Sequence, residues 1–407
     1  MHRPWLLVSA ALTVTVPGIL AILAILGHDH AAGEAVVALP ASSFADSALS
    51  GPVPEAPAKT KAPVRNAIAA VQRMSGAPVT VDGTLLGGER VLGMRLLVRA
   101  AQASQVTSYS GTELTSQTVV GGKVTTISQV WHSGDGPTMT QTSSTDTAVL
   151  RSPTGIFGLT RALVALLGSH YVAVYRGTGY TAGRSASLVA VYRFDGSLAA
   201  RFWLDRRTLV PLRRELFDTS DQPIGEDTFV QVRFGALMGQ PAAGSAGSAG
   251  SAGSAGSATV IAEPAWATAS PGTLLASLAG EGGRLPDVLP GGLALYAAAS
   301  TGTGTAEVID LEYSDGLSVV SLFVQRGTLA PDLPGWRPAV LGGRQVYVSG
   351  RSVAWSWHGL VCTMIADAPP RTVVDAVTVL PRTAPAGVID RLGRGLDRLA
   401  HLVNPFQ

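Results

Sequence analysis

Residues Tyr313 to Val324 read Tyr-Ser-Asp-Gly-Leu-Ser-Val-Val-Ser-Leu-Phe-Val, and no other stretch constrains the fold as tightly. Asp-Gly is a favoured pair for a two-residue type I′ hairpin turn, whose central positions both need φ > 0. Strand-like runs flank it, Ala306 to Tyr313 before and Leu317 to Gln325 after. The second run places Val319, Val320, Leu322, Phe323 and Val324 on both pleat faces. A strand that is apolar on both faces needs cover on both sides, which makes it central in its sheet.

The 407 residues leave room for two domains and their connections. Hydrophobic residues make up 46% and charged residues 14%, against roughly 25% charged in an average soluble domain. A net charge of +2, with arginines scattered along the chain, argues against nucleic acid as a partner. Cys362 is the single cysteine, so no intramolecular disulfide forms. It lies in the apolar run Leu360 to Ile365, which suits a buried thiol acting as a small hydrophobe.

The N-terminal residues 1–4 precede an uncharged run, Trp5 to Leu26. As a helix this run would cover about 33 Å, enough for a bilayer core. Arg3 before it favours Met1 in the cytoplasm and the bulk of the chain outside. The expectation is a membrane anchor at 5–26, with a cleaved signal peptide as the rival and secretion to the periplasm or cell-wall side its result. Residues 27–63, rich in Ala, Pro and Ser, read as a flexible tether.

Helical spacing follows at Val64 to Met74 and at Glu89 to Ala103, the latter with Val91, Met94, Leu97, Val98 and Ala101 on one side. From Tyr109 to Phe234 the pattern is strand after strand, interrupted by a helical reading at Phe157 to Leu167. Residues 64–236 therefore form one domain dominated by a long antiparallel sheet. Residues 237–258 carry a Gly-Ser-Ala repeat that reads as a linker free to let the domains reorient. Residues 259–382 form a smaller α+β domain of antiparallel strands with helices at Pro271 to Ala279 and Arg371 to Val379. In 383–407, Val388, Ile389, Leu392, Leu396, Leu399 and Val403 make an amphipathic helix that either lies on a membrane or docks on its own domain.

No catalytic pattern emerges. Gly121-Gly122-Lys123-Val124 lacks the first glycine and the hydroxyl of a phosphate loop, and no Gly-x-Ser-x-Gly elbow occurs. His28-Asp29-His30 reads as adventitious spacing, and His132, His170, His358 and His401 stand alone, so neither a metal nor another cofactor is expected. Asp205, Glu215, Asp310 and Glu312 read as solvated positions on strands or turns. The chain is expected to be a binding protein, not an enzyme. Tyr109, Trp131, Phe157, Tyr175, Tyr192, Phe202 and Trp203 either line an apolar cavity or fill a core. Trp355 and Trp357 share one pleat face, which is either core or a partner surface.

The wording of three blocks adds a resemblance. Tyr313-Ser314-Asp315-Gly316-Leu317 with its following strand resembles a hairpin in the small C-terminal domain of the MucB/RseB family. Tyr192-Arg193-Phe194, Arg201-Phe202-Trp203-Leu204-Asp205 and Leu209-Val210-Pro211-Leu212 are similar to a pattern in that family's large N-terminal domain, as is Tyr109-Ser110-Gly111-Thr112. The resemblance spans roughly Arg90 to Leu380. It implies a half-open β-barrel wrapped over helices, like the lipoprotein carrier LolA, followed by the small domain. It also implies an extracytoplasmic regulator that binds a membrane anti-sigma factor and modulates its proteolysis in envelope stress signalling, with a lipid as a further ligand. The alternative on the same fold is a carrier for lipid or lipoprotein acyl chains.

Overall fold

The computed structural model describes residues 10–14, 21–25, 35–36, 87–142, 147–151, 156–235, 259–262, 266–279, 285–330, 333 and 335–381. The tether, the helix expected at Val64 to Met74, the Gly-Ser-Ala repeat, His28-Asp29-His30 and the C-terminal amphipathic stretch fall outside these residues or almost wholly so.

Within the expected anchor, β1 (Ala10–Val14) and β2 (Ala21–Ile25) pair antiparallel instead of continuing a helix. Among the described residues no helix is long and apolar enough to cross a membrane. The residues give a reason for the correction. Pro17-Gly18 lies between the two runs and weakens a continuous helix, while Thr13, Val14 and Ile22 are β-branched. β3 (Ala35–Val36) pairs parallel with Thr328–Leu329.

The first domain opens with helix α1 (Gly87–Val106). Strands β4 (Tyr109–Val119), β5 (Gly122–His132), β6 (Thr138–Thr142) and β7 (Thr147–Arg151) follow as a meander. Helix α2 (Arg161–His170) then precedes β8 (Val172–Thr181), β9 (Arg184–Tyr192), β10 (Leu198–Asp205), β11 (Pro211–Phe217) and β12 (Pro223–Phe234). β12 closes back on β4, which joins the two meanders into one ten-stranded sheet. Its far edge is β13 (Thr259–Ala262), which comes after the repeat yet pairs parallel with β7. The chain thus returns to the first sheet before it begins the second.

Helix α2 starts later than its periodicity suggested. Phe157 and Gly158 take positive φ, 51° and 77°, so a short 3₁₀ turn at Ile156–Gly158 precedes it. Thr160 then accepts a hydrogen bond from the Leu163 amide at 3.2 Å and caps the helix. Both helices lie on one face of the sheet. Leu97, Ala100 and Ala101 of α1 and Val164 and Leu167 of α2 pack with Val189, Val191, Phe202 and Leu204. α1 is rotated from the expected face: Leu96 and Ala100 are buried, whereas Val91 and Val98 are 59% and 40% exposed.

The second domain contains β14 (Ala267–Thr268), helix α3 (Pro271–Ala279), β15 (Val288–Leu289), β16 (Leu293–Thr301), β17 (Val308–Ser314), β18 (Val319–Arg326) and β19 (Thr328–Leu329). β20 (Arg337–Leu341), β21 (Arg344–Ser349), β22 (Ser352–Trp357), β23 (Leu360–Asp367) and helix α4 (Pro370–Val379) complete it. The sheet order is β14-β16-β17-β18-β23-β22-β21-β20, so β18 is central as its sequence required. Seven of its eight residues are buried. The architecture is α+β, a large, mainly antiparallel sheet with helices on one face and a smaller antiparallel domain beside it.

The β10–β11 corner shows how local chemistry holds this sheet. Asp205 Oδ1 accepts from the Arg207 and Thr208 amides at 3.0 and 2.8 Å and from Thr208 Oγ1 at 3.0 Å. Its Oδ2 accepts from Arg184 Nε on β9 at 2.5 Å. Burial pushes this carboxyl upward, but the bonds from Arg184 and Thr208 outweigh it and hold the group below its ordinary value. Asp205→Ala should cost about 2 kcal/mol, because four donors lose their acceptor. A depressed folded pKa adds stability above the unfolded value and loses it as pH falls through the folded one. Urea titrations of wild type and variant should therefore converge below about pH 4; a constant gap across that range would refute the assignment.

Candidate functional site at the seam between the domains

The Asp315-Gly316 turn departs from the two-residue hairpin expected. Only Gly316 has positive φ, 96°, and the connection runs over four residues between β17 and β18. Asp315 Oδ1 accepts from the Leu317 and Ser318 amides at 2.9 and 2.7 Å, while Ser314 Oγ accepts from the Gly316 amide at 2.8 Å. These bonds leave Asp315 Oδ2 facing the other domain, where Tyr171 Oη donates to it at 2.6 Å. Burial first, and then the Asp315 charge, pushes the Tyr171 phenol far above its ordinary value, so it stays a donor.

This turn is a plug. Leu317 joins the core beneath the first sheet, with Leu96, Leu167 and Phe202. In return Leu163 of α2 sits in a cluster of the second domain with Val308, Val319, Phe323 and Ile365. Gly316 lies directly on the backbone of α2, where an added Cβ would collide with Leu167 N and Cα and approach Leu163 O. Val120, at the tip of the β4–β5 hairpin, packs against the main core of the second domain.

A buried ionic cluster crosses the same seam. Arg214 on β11 donates to Asp227 Oδ2 on β12 through Nε at 2.9 Å and an Nη at 2.6 Å. The same Nη reaches Asp367 Oδ2, at the end of β23, at 2.5 Å. Gln117 on β4 donates to Asp367 Oδ1 at 2.9 Å and accepts from Arg351 at 2.8 Å. Arg214, Asp227, Gln117 and Asp367 are all buried. Two arginines and two carboxylates leave the cluster formally neutral, which is the condition for burying it. Burial raises the Asp227 carboxyl despite Arg214 beside it, with the Asp367 charge adding to the rise.

The nine aromatic candidates are not brought together. Tyr109 and Phe157 pack with Phe229, and Tyr109 stacks on His132 at 5.0 Å. The His132 ring bonds Thr138 Oγ1 at 3.0 Å and the Gln105 carbonyl at 2.9 Å. Trp131 is buried on β5, Phe202 and Tyr175 lie in or against the core under α1 and α2, and Trp355 and Trp357 are core of the second domain. Tyr192 faces the opposite side of the first sheet, in a shallow pocket of about 190 Å³ with Arg176, Leu198, Arg201 and Phe217. Trp203 shares that face and carries the Arg213 guanidinium 4.9 Å above its ring. Cys362 is fully buried, and burial pushes its thiol up to about 12.

Several carboxylates read as solvated are buried instead: Asp205, Glu215 and Asp310. Glu215 is paired with Arg213 at 2.5 Å and Arg201 at 3.5 Å. Among the described residues no group of three His, Cys, Asp or Glu side chains is placed to hold a metal. Sequence reasoning missed the seam charges; the available signal was Arg213-Arg214-Glu215 inside an otherwise apolar strand.

Residues 137–247 match the family model of the MucB/RseB N-terminal domain. That segment supplies α2, Tyr171, Arg214 and Asp227, most of the first domain's half of the seam. A comparison with curated proteins gives no match. Among solved structures, MucB in complex with MucA(peri) is 23% identical, with a TM-score of 0.40 over 72% of this chain and 100% of that one. A Pseudomonas aeruginosa MucA/MucB complex is 20% identical, with a TM-score of 0.37 over 72% and 99%. A putative outer membrane lipoprotein-sorting protein domain from Vibrio parahaemolyticus is 13% identical, with a TM-score of 0.20 over 37% and 94%.

Proposed function

We propose, from the premise that this chain belongs to the MucB/RseB family through the N-terminal domain matched at residues 137–247, that it is an extracytoplasmic regulator. It binds the extracytoplasmic segment of a membrane anti-sigma factor and shields that segment from proteolysis until envelope stress releases it. The family match carries this reading. The seam supports it physically: with Arg214, Asp367, Gln117 and the Gly316 plug in place, the two domains present one joint surface instead of two independent ones. A joint surface grips an extended segment without losing the entropy of aligning two bodies.

The test is capture of membrane partners by the full chain, followed by transcript profiling after its deletion. Retention of an anti-sigma factor, together with raised stress transcripts in the deletion strain, is the expected result. Recovery of no anti-sigma factor, with unchanged transcripts, would overturn the regulatory reading. Carriage of lipid or lipoprotein acyl chains is the outcome to watch for in native mass spectra. Stoichiometric lipid without a regulatory phenotype would move the assignment there.

A further inference from the structure

The outward face of α1 is unlike an ordinary solvent face. Val91, Leu92, Arg95, Val98, Arg99, Gln102 and Val106 fall on one stripe, about 120° wide at 100° per residue, and each is exposed. Four of the seven are aliphatic, where a surface helix places charged and polar groups opposite its core stripe. Val91 and Val106 are each 59% exposed. Both charges on the stripe, Arg95 and Arg99, are positive, while Arg90 and Glu89 lie outside it. Neighbouring α2 adds exposed Arg161 and no acid, so Glu89 is the single carboxylate on the two helices. The whole chain is nearly neutral, at +2, so this helical layer is a local cationic patch. Arg95 and Arg99 have no ion-pair partner among the described residues.

We infer that α1 seats the protein on an anionic bilayer surface. Aliphatic side chains interleaved with arginines along a helix of about 30 Å suit the interface between headgroups and acyl chains. The stripe offers Gln102 as its one uncharged polar side chain, so it has little with which to read a folded partner's hydrogen-bonding pattern. A surface of uniform negative potential asks for no such readout. This surface lies apart from the seam, and its failure would leave the anti-sigma reading untouched.

The full chain should cosediment with phosphatidylcholine vesicles containing about a third phosphatidylglycerol, and weakly with phosphatidylcholine alone, the difference fading with salt. Arg95→Gln/Arg99→Gln should weaken anionic-vesicle binding about 30-fold, two arginines each contributing roughly 1 kcal/mol at the surface. Arg206→Gln/Arg207→Gln removes the same charge from exposed positions elsewhere and should change binding by less than about 3-fold. Val91→Asn/Val98→Asn should lower binding at high salt, where the aliphatic contribution remains. Equal binding to neutral and anionic vesicles would overturn the inference, as would equal losses in the two arginine variants. So would a wild-type dimer that Arg95→Gln/Arg99→Gln dissociates, since a second copy would then cover the face.

Discussion

Arg214→Ala should lower stability by about 3–5 kcal/mol, the range for stripping one partner from a buried ion pair. The variant leaves Asp227 and Asp367, 3% and 2% exposed, facing one another without their shared cation. Gln117 and Arg351 remain nearby, but Arg351 is already engaged with Gln117 Oε1. Because Asp367 belongs to the second domain, the loss should also separate the urea transitions of the two domains. Tryptophan fluorescence is weighted to the second domain, which holds Trp266, Trp336, Trp355 and Trp357 against Trp131 and Trp203 in the first, whereas far-UV dichroism reports on both sheets, so the two probes should stop coinciding.

The pH dependence has a definite sign. Burial, with Asp367 beside it, raises the Asp227 carboxyl above 3.8 in the folded protein. A raised folded pKa favours the folded state at low pH, and that contribution is lost as pH rises through the folded value. Removing Arg214 takes away a charge that was holding the carboxyl down, so it strengthens this trend. The deficit of Arg214→Ala should therefore be largest at neutral pH and shrink as the carboxylates protonate. A deficit that grows in acid would mean that the cluster is not organised around Arg214. Replacing Arg214, Arg351, Asp227 and Asp367 together by apolar residues of similar size should cost less than Arg214→Ala alone, since no unpaired charge remains.

What the sequence made legible follows the range of the forces involved. β18 is central because its own residues are apolar on both faces, a local property readable without any partner. Cys362 is core for the same reason. The turn before β18 was legible as a turn but not as a plug, because its socket is α2, about 150 residues upstream in the chain, and a sequence does not say what a glycine touches. Arg214 and Asp227 face each other in register across β11 and β12, yet the third member, Asp367, arrives from another sheet. Charges on strands default to a solvated reading, and only their convergence shows otherwise. The same limit explains α1. Its periodicity placed Val91, Met94, Leu97, Val98 and Ala101 on one side, but the side that packs is turned from that one by Gly93, where only hydrogen lets the helix approach the Ala173 and Val174 backbone. The Gly-Ser-Ala repeat suggested domains free to reorient and lies outside the described residues; the contacts that join the two domains come from residues far from it in sequence.

Gly316→Val should break that junction more selectively than any charge substitution, at a cost of roughly 3 kcal/mol or more. Two effects combine. At φ 96° an L side chain is strained, and its Cβ would enter the backbone of α2 at Leu167 and Leu163 O. Backbone cannot rotate aside as a flexible side chain can, so the turn must lift off the helix. Lifting it withdraws Leu317 from the first core, parts Leu163 from Phe323 and breaks the Tyr171–Asp315 bond. Gly292→Val is the control. It has φ 77° but nothing within 4 Å of an added Cβ, so it carries the conformational strain without the collision. Strain alone should cost about 1–2 kcal/mol. Limited proteolysis adds a readout that stability alone does not give: cleavage in the repeat at 244–257 should accelerate in Gly316→Val and leave two separable fragments. In Gly292→Val the fragments should stay together after cleavage, as in the wild type. Equal destabilisation by the two substitutions, with fragments held together in both, would show that the turn is not what joins the domains.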